Sequence, residues 1–452
     1  MAKLTWYRVL DKDELPEGRV KTVTAGSKSL ALTHFEGTYN ALDNRCPHQG
    51  GPLGEGSIEN GWLRCPWHGW DFHPCTGRSP GSHEDGVELF EVQERDDGVY
   101  VGLAEEKPEV RTVSDVMVET MVAWGIRHVF GMVGHSNLGL AEALRRAEER
   151  GELTYIGIRH EGAAAFACSA YAKLTGKPAA CLGIAGPGTT NLITGLWDAK
   201  VDRAPVLALG GQVDTQVLGP GAFQEVDLAS ALAPVSCWGQ TVLHTSKHAE
   251  LVNLAMKHAI LKRDVVHLLF PDEVQVLPAP EGAEAGSPKG RLPDQRIAPS
   301  PHSLDHAQAL LEKSKRPVFI VGHGARYEMD AIRVLAEALN APILTTFKAK
   351  GQIADDHPLG CGVLGRSGTP IASWFMNEAD ALVVFGASFS NHTGISPKLP
   401  TIQIDFDSIN LGKFHSVDVP VLGEIGVTAG LLHERCGHLE TEDRRAEIAE
   451  RW

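Results

Sequence analysis

The 452 residues contain no basic cluster, and the formal net charge is −15. That balance argues against nucleic acid and anionic membrane as partners. No apolar run is long enough to span a bilayer, and the N-terminal MAKLTWYRVLDKDELPEGRV has no apolar h-region. A cytoplasmic protein is the expectation. The eight cysteines, Cys46, Cys65, Cys75, Cys168, Cys181, Cys237, Cys361 and Cys436, are scattered and give no disulfide framework. Only Cys46 and Cys65 stand in a ligand-like context. The remaining composition is ordinary: 43% of residues are apolar, as in soluble globular domains. The length suits about three domains.

The first segment, residues 1–106, reads as β-rich, with short alternating runs at 20–23 and 99–103 separated by Gly and Asp. Its chemistry lies in two tight pairs. One residue separates Cys46 from His48, two separate Cys65 from His68, and sixteen lie between the pairs. Two such pairs on two loops give one iron two thiolates and the other two imidazoles, the Rieske 2Fe-2S arrangement. Zinc is the competing reading, since two Cys and two His also suit a tetrahedral site. His73 and Cys75 read as surface hairpin residues before the Thr76-Gly77 turn rather than as further ligands. The wording CPH…CPWHGW resembles Rieske proteins. The extra cysteines of the respiratory type are replaced here, with Trp67 between Pro66 and His68. The resemblance is therefore to the soluble ferredoxin and ring-hydroxylating oxygenase type, and it implies a potential of roughly −150 mV rather than +300 mV. No two-His-one-carboxylate grouping follows, as a ring-hydroxylating oxygenase would require.

A charged linker at 105–112, containing Pro108, marks a boundary. Eight extended residues span under about 30 Å, which limits how far the first module can wander. Ser114 is placed to cap a helix carrying Val116, Met117, Met121, Val122 and Trp124 at helical spacing. An apolar strand at 155–158 runs into Arg159-His160-Glu161-Gly162, and a small-residue helix follows from Ala163 to about Lys173. A second strand at 179–184 opens into Gly186-Pro187-Gly188-Thr189-Thr190-Asn191. Both turns belong at the carboxyl edge of a parallel sheet, where open α/β sheets bind ligands. Glu161 among so much alanine is poorly solvated, which suits proton transfer. The plainer alternative is a glutamate satisfying a helix N-terminus.

Arg159 to Val213 resembles the pyrimidine-binding domain of thiamine diphosphate (ThDP) enzymes of the acetolactate synthase and pyruvate oxidase group. The resemblance covers residues 110–272 and implies roles. Glu161 would hydrogen-bond the aminopyrimidine and promote its imino tautomer. Gly134, Gly186, Pro187 and Asn191 would lie along the cofactor. Phe223 would shape the acceptor pocket, and Gln224 would hydrogen-bond the substrate. Val133 stands where the family usually has Pro, so the Gly131–Gly134 turn is kept with altered detail. His135 would face the cofactor cleft, although a lone loop histidine is more often solvated.

Residues 276–301 read as a linker with no core-forming pattern, and a fresh α/β pattern occupies 295–435. It resembles the family's Rossmann-like central domain, which binds FAD, ADP or nothing. Gly322, Gly324 and Gly386 form the candidate Gly-rich turns. Asp405 and Asp407, at a strand end, are candidates for ribose or adenine. Ser388 and Glu424 depart from the pattern of the FAD-binding members. A lone GxG turn is weak by itself.

The family's third domain holds Mg²⁺ and the diphosphate with a GDG motif, and no GDG occurs here. Residues 436–452 resemble the start of the linker to it. The expectation is a fragment, or a chain whose diphosphate-binding half comes from another polypeptide. The fold expected is an all-β Rieske domain followed by two α/β parallel-sheet domains. The function implied is decarboxylation of a pyruvate-like 2-oxo acid, with electrons reaching the 2Fe-2S cluster directly or through FAD. Acetolactate synthase-type carboligation and a non-catalytic electron-transfer subunit are the alternatives. A homo-oligomer, dimer or tetramer, is expected, with a separate diphosphate-binding chain or redox partner.

Overall fold

The computed structural model describes residues 4–48, 50–80, 86–104 and 110–452. It divides into two compact units, Met1–Val110 and Arg111–Trp452. Most of the linker expected at 105–112 lies outside the described residues.

The first unit is antiparallel. Strands β1 (Leu4–Leu10), β2 (Arg19–Ala25), β3 (Lys28–Phe35) and β4 (Thr38–Asp43) are followed by three short ones, β5 (Ser57–Glu59), β6 (Trp62–Arg64) and β7 (Asp71–Phe72). The chain then returns through β8 (Leu89–Arg95) and β9 (Gly98–Ala104). The large sheet has the order β1-β9-β8-β4-β3-β2, and β5-β6-β7 form a small one. Glu36 and Gly37, at φ 54° and 71°, make the two-residue turn that suits the twist of the β3–β4 hairpin. Alternation along β3 separates two cores. Leu30 and Leu32 pack with Val23, Val99 and Val101, while Ala31 faces the other way, toward Leu42, Leu63 and Phe72. The second core also holds Cys46 and Cys65. A one-residue slip of β3 would exchange its two faces.

The second unit carries two parallel six-stranded sheets. The first comprises β10 (His128–Gly131), β11 (Thr154–Gly157), β12 (Ala179–Gly183), β13 (Val206–Gln212), β14 (Trp238–Thr241) and β15 (Val265–Pro271), in the order β11-β10-β12-β13-β15-β14. β12, β13 and β15 are buried along their whole length, as strands covered on both faces should be. The second sheet comprises β16 (Pro317–Val321), β17 (Ile343–Thr345), β18 (Gly360–Val363), β19 (Ala381–Phe385), β20 (Thr401–Asp405) and β21 (Val419–Leu422). Its order, β18-β17-β16-β19-β20-β21, is that of a dinucleotide-binding doubly wound sheet. The chain reverses direction between β16 and β19. There the turns after the two strands touch backbone to backbone: Gly322 N donates to Phe385 O at 2.8 Å and Gly324 N to Gly386 O at 3.0 Å. A Cβ on Gly322 would lie 2.1 Å from Gly386 O, so only glycine fits.

Two local expectations need correction. The cap of helix Val113–Ala123 is Thr112, not Ser114. The Thr112 hydroxyl accepts from Asp115 N at 3.3 Å, and the Asp115 carboxylate accepts from Thr112 N at 2.7 Å. A capping box needs an acid three residues on, and only Thr112 has one. The segment at 276–301 does contribute to a core: Leu277 and Leu292 pack against the first α/β core, and Arg291 grips Glu250 at 2.7 and 2.9 Å. Among the described residues no helix is long and apolar enough to cross a membrane.

Candidate functional site

The Cys–His pairs sit on two loops, one preceding the small sheet and one joining its strands β6 and β7. Cys46 and Cys65 are 3% and 2% exposed, while His48 and His68 are exposed. The two imidazoles meet edge to face, with centroids 4.9 Å apart and planes at 84°. None of the eight cysteines is in a disulfide. A Cβ on Gly51 would lie 2.7 Å from Cys65 Sγ, so the sulfur occupies a recess that only glycine leaves open. Among the described residues no three His, Cys, Asp or Glu side chains converge to hold one ion. A 2Fe-2S cluster asks for two protein ligands on each iron, whereas structural zinc asks for four on one. The residues present fit the cluster. His73 stands elsewhere, edge-on to Phe35 and Trp62, and its Nδ1 accepts from Cys75 N at 3.2 Å.

At the carboxyl edge of the first parallel sheet, Glu161 opens helix Glu161–Thr175, two residues earlier than expected because His160 caps it: His160 Nδ1 accepts from Gly162 N at 3.1 Å. Glu161 is 2% exposed. Its Oε2 accepts from Asn191 Nδ2 at 3.1 Å, and its Oε1 lies 2.7 Å from where a Cβ on Gly188 would stand. The carboxylate from one strand end and the Gly-rich loop from the next are thus brought together, with Pro187 opening the short helix Pro187–Asn191. Gly186, at φ 60°, lies against Gln224: a Cβ there would be 2.3 Å from Gln224 O. Gly134 closes the neighbouring turn, donating from its N–H to Asn137 Oδ1 at 2.9 Å. His135 points to solvent, its side chain 91% exposed and 3.7 Å from Asp272. These contacts form a polar cradle in which a buried carboxylate can exchange a proton with a bound ring nitrogen. The same groups fit ThDP at its pyrimidine end.

Phe223 is 90% exposed. Its loop is nonetheless ordered by a residue that sequence reasoning passed over. The Glu225 carboxylate accepts from Gly219 N at 2.7 Å and from Gly221 N and Ala222 N at 2.9 Å each. These donors, Gly219 first, hold its carboxyl below the usual range. An acid just after a glycine-rich turn was the available signal.

A cavity of about 500 Å³ lies between the two α/β domains, above Gly324 and Gly386. Asp405, 4% exposed, ends β20 at its wall, and burial raises its carboxyl above the ordinary range. Asp407 is already engaged across the domain boundary by Arg203. Likewise Lys348 is held by Asp202, which also binds Lys173 at 2.6 Å. Arg263 is different. It caps helix His248–Lys262 in the left-handed conformation, φ 50° and ψ 60°, and lies over the Phe406 ring at 4.0 Å. Its guanidinium has no hydrogen-bond acceptor among the described residues. Burial first, then the charge of Arg326, lowers its pKa. His323 Nε2 and Arg326 Nε, on residues lining the cavity, are buried without partners. An uncommitted cation beside orphaned donors suits an anionic ligand, and a nucleotide diphosphate has that chemistry.

Comparison with known proteins gives three matches along the chain. Residues 5–85 match the Rieske [2Fe-2S] domain. Residues 111–231 match the thiamine pyrophosphate enzyme N-terminal TPP binding domain, and 304–432 the central domain of the same enzymes. The acetolactate synthase of Arthrospira platensis is 32% identical over 358 residues, covering 75% of this chain and 61% of that protein. The pyruvate oxidase of Lactiplantibacillus plantarum is 31% identical over 315 residues, covering 68% and 51%. An uncharacterized 42.6 kDa protein of Pseudomonas amyloderamosa is 31% identical over 320 residues, covering 71% of this chain and 80% of its own length. The chain spans only somewhat more than half the length of the synthase and the oxidase. It belongs to the thiamine pyrophosphate enzyme family, whose N-terminal and central domains here follow a Rieske [2Fe-2S] domain.

Proposed function

We propose that the chain provides the pyrimidine-binding half of a ThDP enzyme that decarboxylates a pyruvate-like 2-oxo acid and passes the electrons to its own 2Fe-2S cluster. The observation that carries this reading is the buried Glu161 carboxylate, bonded to Asn191 at the sheet edge of a chain that also carries the Cys46/His48 and Cys65/His68 pairs. ThDP, when bound, supplies the electron sink for loss of CO₂. Glu161 holds or returns a proton at the aminopyrimidine, while Gly134 and Gly186 keep the backbone close to the cofactor. Phe223 shapes the acceptor pocket, and Gln224 hydrogen-bonds the substrate. Mg²⁺ and the diphosphate are held by a separate domain or chain, and the working form is a homo-oligomer.

Oxidative decarboxylation takes an oxygen from water and releases two electrons for each 2-oxo acid. A 2Fe-2S cluster accepts one at a time, so each turnover needs two transfers, ending on a one-electron acceptor for which ferricyanide is the probe. Rapid mixing of the oxidised, complete complex with pyruvate tests this. Rieske absorbance should bleach at a rate matching turnover. His48→Ala should abolish ferricyanide reduction and leave CO₂ release measurable. A cluster that stays oxidised through many turnovers defeats the coupling and favours carboligation of the acetolactate synthase kind. Absence of CO₂ release favours a non-catalytic electron-transfer subunit.

We infer also that the cleft between the α/β domains takes a nucleotide, FAD before ADP. The support is the uncommitted Arg263 and the doubly wound strand order. Arg263→Ala should weaken FAD binding by roughly tenfold to a hundredfold, the scale of a lost charged hydrogen bond. Fluorescence titration of the full chain with FAD and with ADP measures it. Equal affinity in variant and wild type removes Arg263 from the site.

A further inference from the structure

The two ligand loops close in the same way. Cys46 N donates to Gly51 O at 2.9 Å, and Cys65 N donates to Trp70 O at 2.7 Å. Gly50 N donates back to Cys46 O at 2.7 Å, and Gly69 N to Cys65 O at 3.1 Å. Gly50 and Gly69 both take a positive φ, 77° and 70°. Gly51 and Trp70 therefore hold equivalent places, five residues after their cysteines.

What they bring differs. Gly51 must be bare, because Cys65 Sγ occupies the space of its Cβ. Trp70 reaches across to the other loop, and its indole lies on His48 with centroids 4.7 Å apart and planes 6° from parallel. His68 has no such cover: it meets His48 edge-on and Trp67 edge-on at 6.4 Å, and Trp67 is 59% exposed. A ligating histidine is commonly oriented by a hydrogen bond at its second ring nitrogen. Among the described residues no such bond reaches the His48 ring. Its plane is otherwise set by a torsion with a broad minimum.

We propose that Trp70 is a positioning residue of the iron–sulfur centre: its stacked indole fixes the plane of His48 and covers one face of that ring, which makes the two histidine ligands inequivalent. Trp70 does this from the loop that carries Cys65 and His68, so it also ties the two ligand loops together. The inference rests on the reading of Cys46, His48, Cys65 and His68 as cluster ligands. Offset stacking is the geometry that aromatic rings favour, and it holds a ring without competing for its nitrogens.

The test uses the full chain, reconstituted anaerobically with iron and sulfide and reduced with dithionite. Wild type without a Rieske-type EPR signal overturns the ligand reading itself, before any variant is compared. Given that signal, Trp70→Ala should shift the g-values and the nitrogen hyperfine couplings. It should also lose iron to a chelator roughly tenfold faster, the scale on which outer-shell partners act on metal sites. Trp70→Phe restores the stack and should return both readouts toward wild type. Trp67→Ala, beside the other ligand, should leave them unchanged. Trp70→Leu fills the space without a ring and decides the matter if the alanine variant does not fold. Wild-type spectra and chelator lifetime in the Ala or Leu variant overturn the proposal, as does an equal shift in Trp67→Ala.

Discussion

Glu161→Gln, in a complex completed with a diphosphate-binding domain, should lower turnover by at least about a hundredfold, the usual scale for a lost acid–base group. The substitution is nearly isosteric, which matters at a site this crowded. Glu161 is 2% exposed, with Asn191 Nδ2 on one oxygen and the Gly188 backbone against the other. A glutamine keeps the volume and an oxygen for Asn191. It loses the ability to take up and return a proton. ThDP affinity, read by titration, should therefore fall much less than turnover, read as CO₂ release. Near wild-type turnover would sink the assigned role.

Gly51→Ala should leave the chain with little or no cluster. The added methyl would stand 2.7 Å from Cys65 Sγ and 3.2 Å from the Trp67 ring, distances at which something must move. The sulfur is the nearer group, and thiolate–iron bonds tolerate only a few tenths of an ångström. Gly50→Ala is the control. It places a side chain at φ 77° but meets nothing within 4 Å, so it adds backbone strain of about 1–2 kcal/mol and no clash. Iron and sulfide analysis of both purified variants separates the two effects. A fully loaded Gly51→Ala protein would mean that Cys65 Sγ does not hold the position described.

The Cys–His pairs and Glu161 stand out in the sequence because their signals are local. Cys46 and His48, or a strand running into Arg159-His160-Glu161, sit within a few residues of one another. The glycine turns of the second sheet were legible for the same reason, since strand and turn are contiguous. What escaped reading is what tertiary packing assembles. Arg203 and Arg263 reach the cleft from the first α/β domain, and nothing in their spacing predicts their partners there, Asp407 and Phe406. Trp70 was visible as part of a motif, but its stacking on a ring in the other loop was not. Thr112 and Ser114 look alike as single capping residues, and only the pairing with Asp115 distinguishes them. The leucines of the 276–301 segment were missed because two isolated apolar residues have no period.

The carboxylates at the cleft between the α/β domains have a further consequence. Asp202 and Asp407 pair with Lys348 and Arg203 within the chain itself. The mutual repulsion of the clustered cations is therefore met largely during folding, by counter-charges that belong to the chain. An incoming anion finds a lattice of existing pairs beside two arginines, Arg263 and Arg326, that pair with no carboxylate among the described residues. The cleft behaves as an ion exchanger whose open positions are these two arginines, and occupancy there leaves the pairs that join the domains intact.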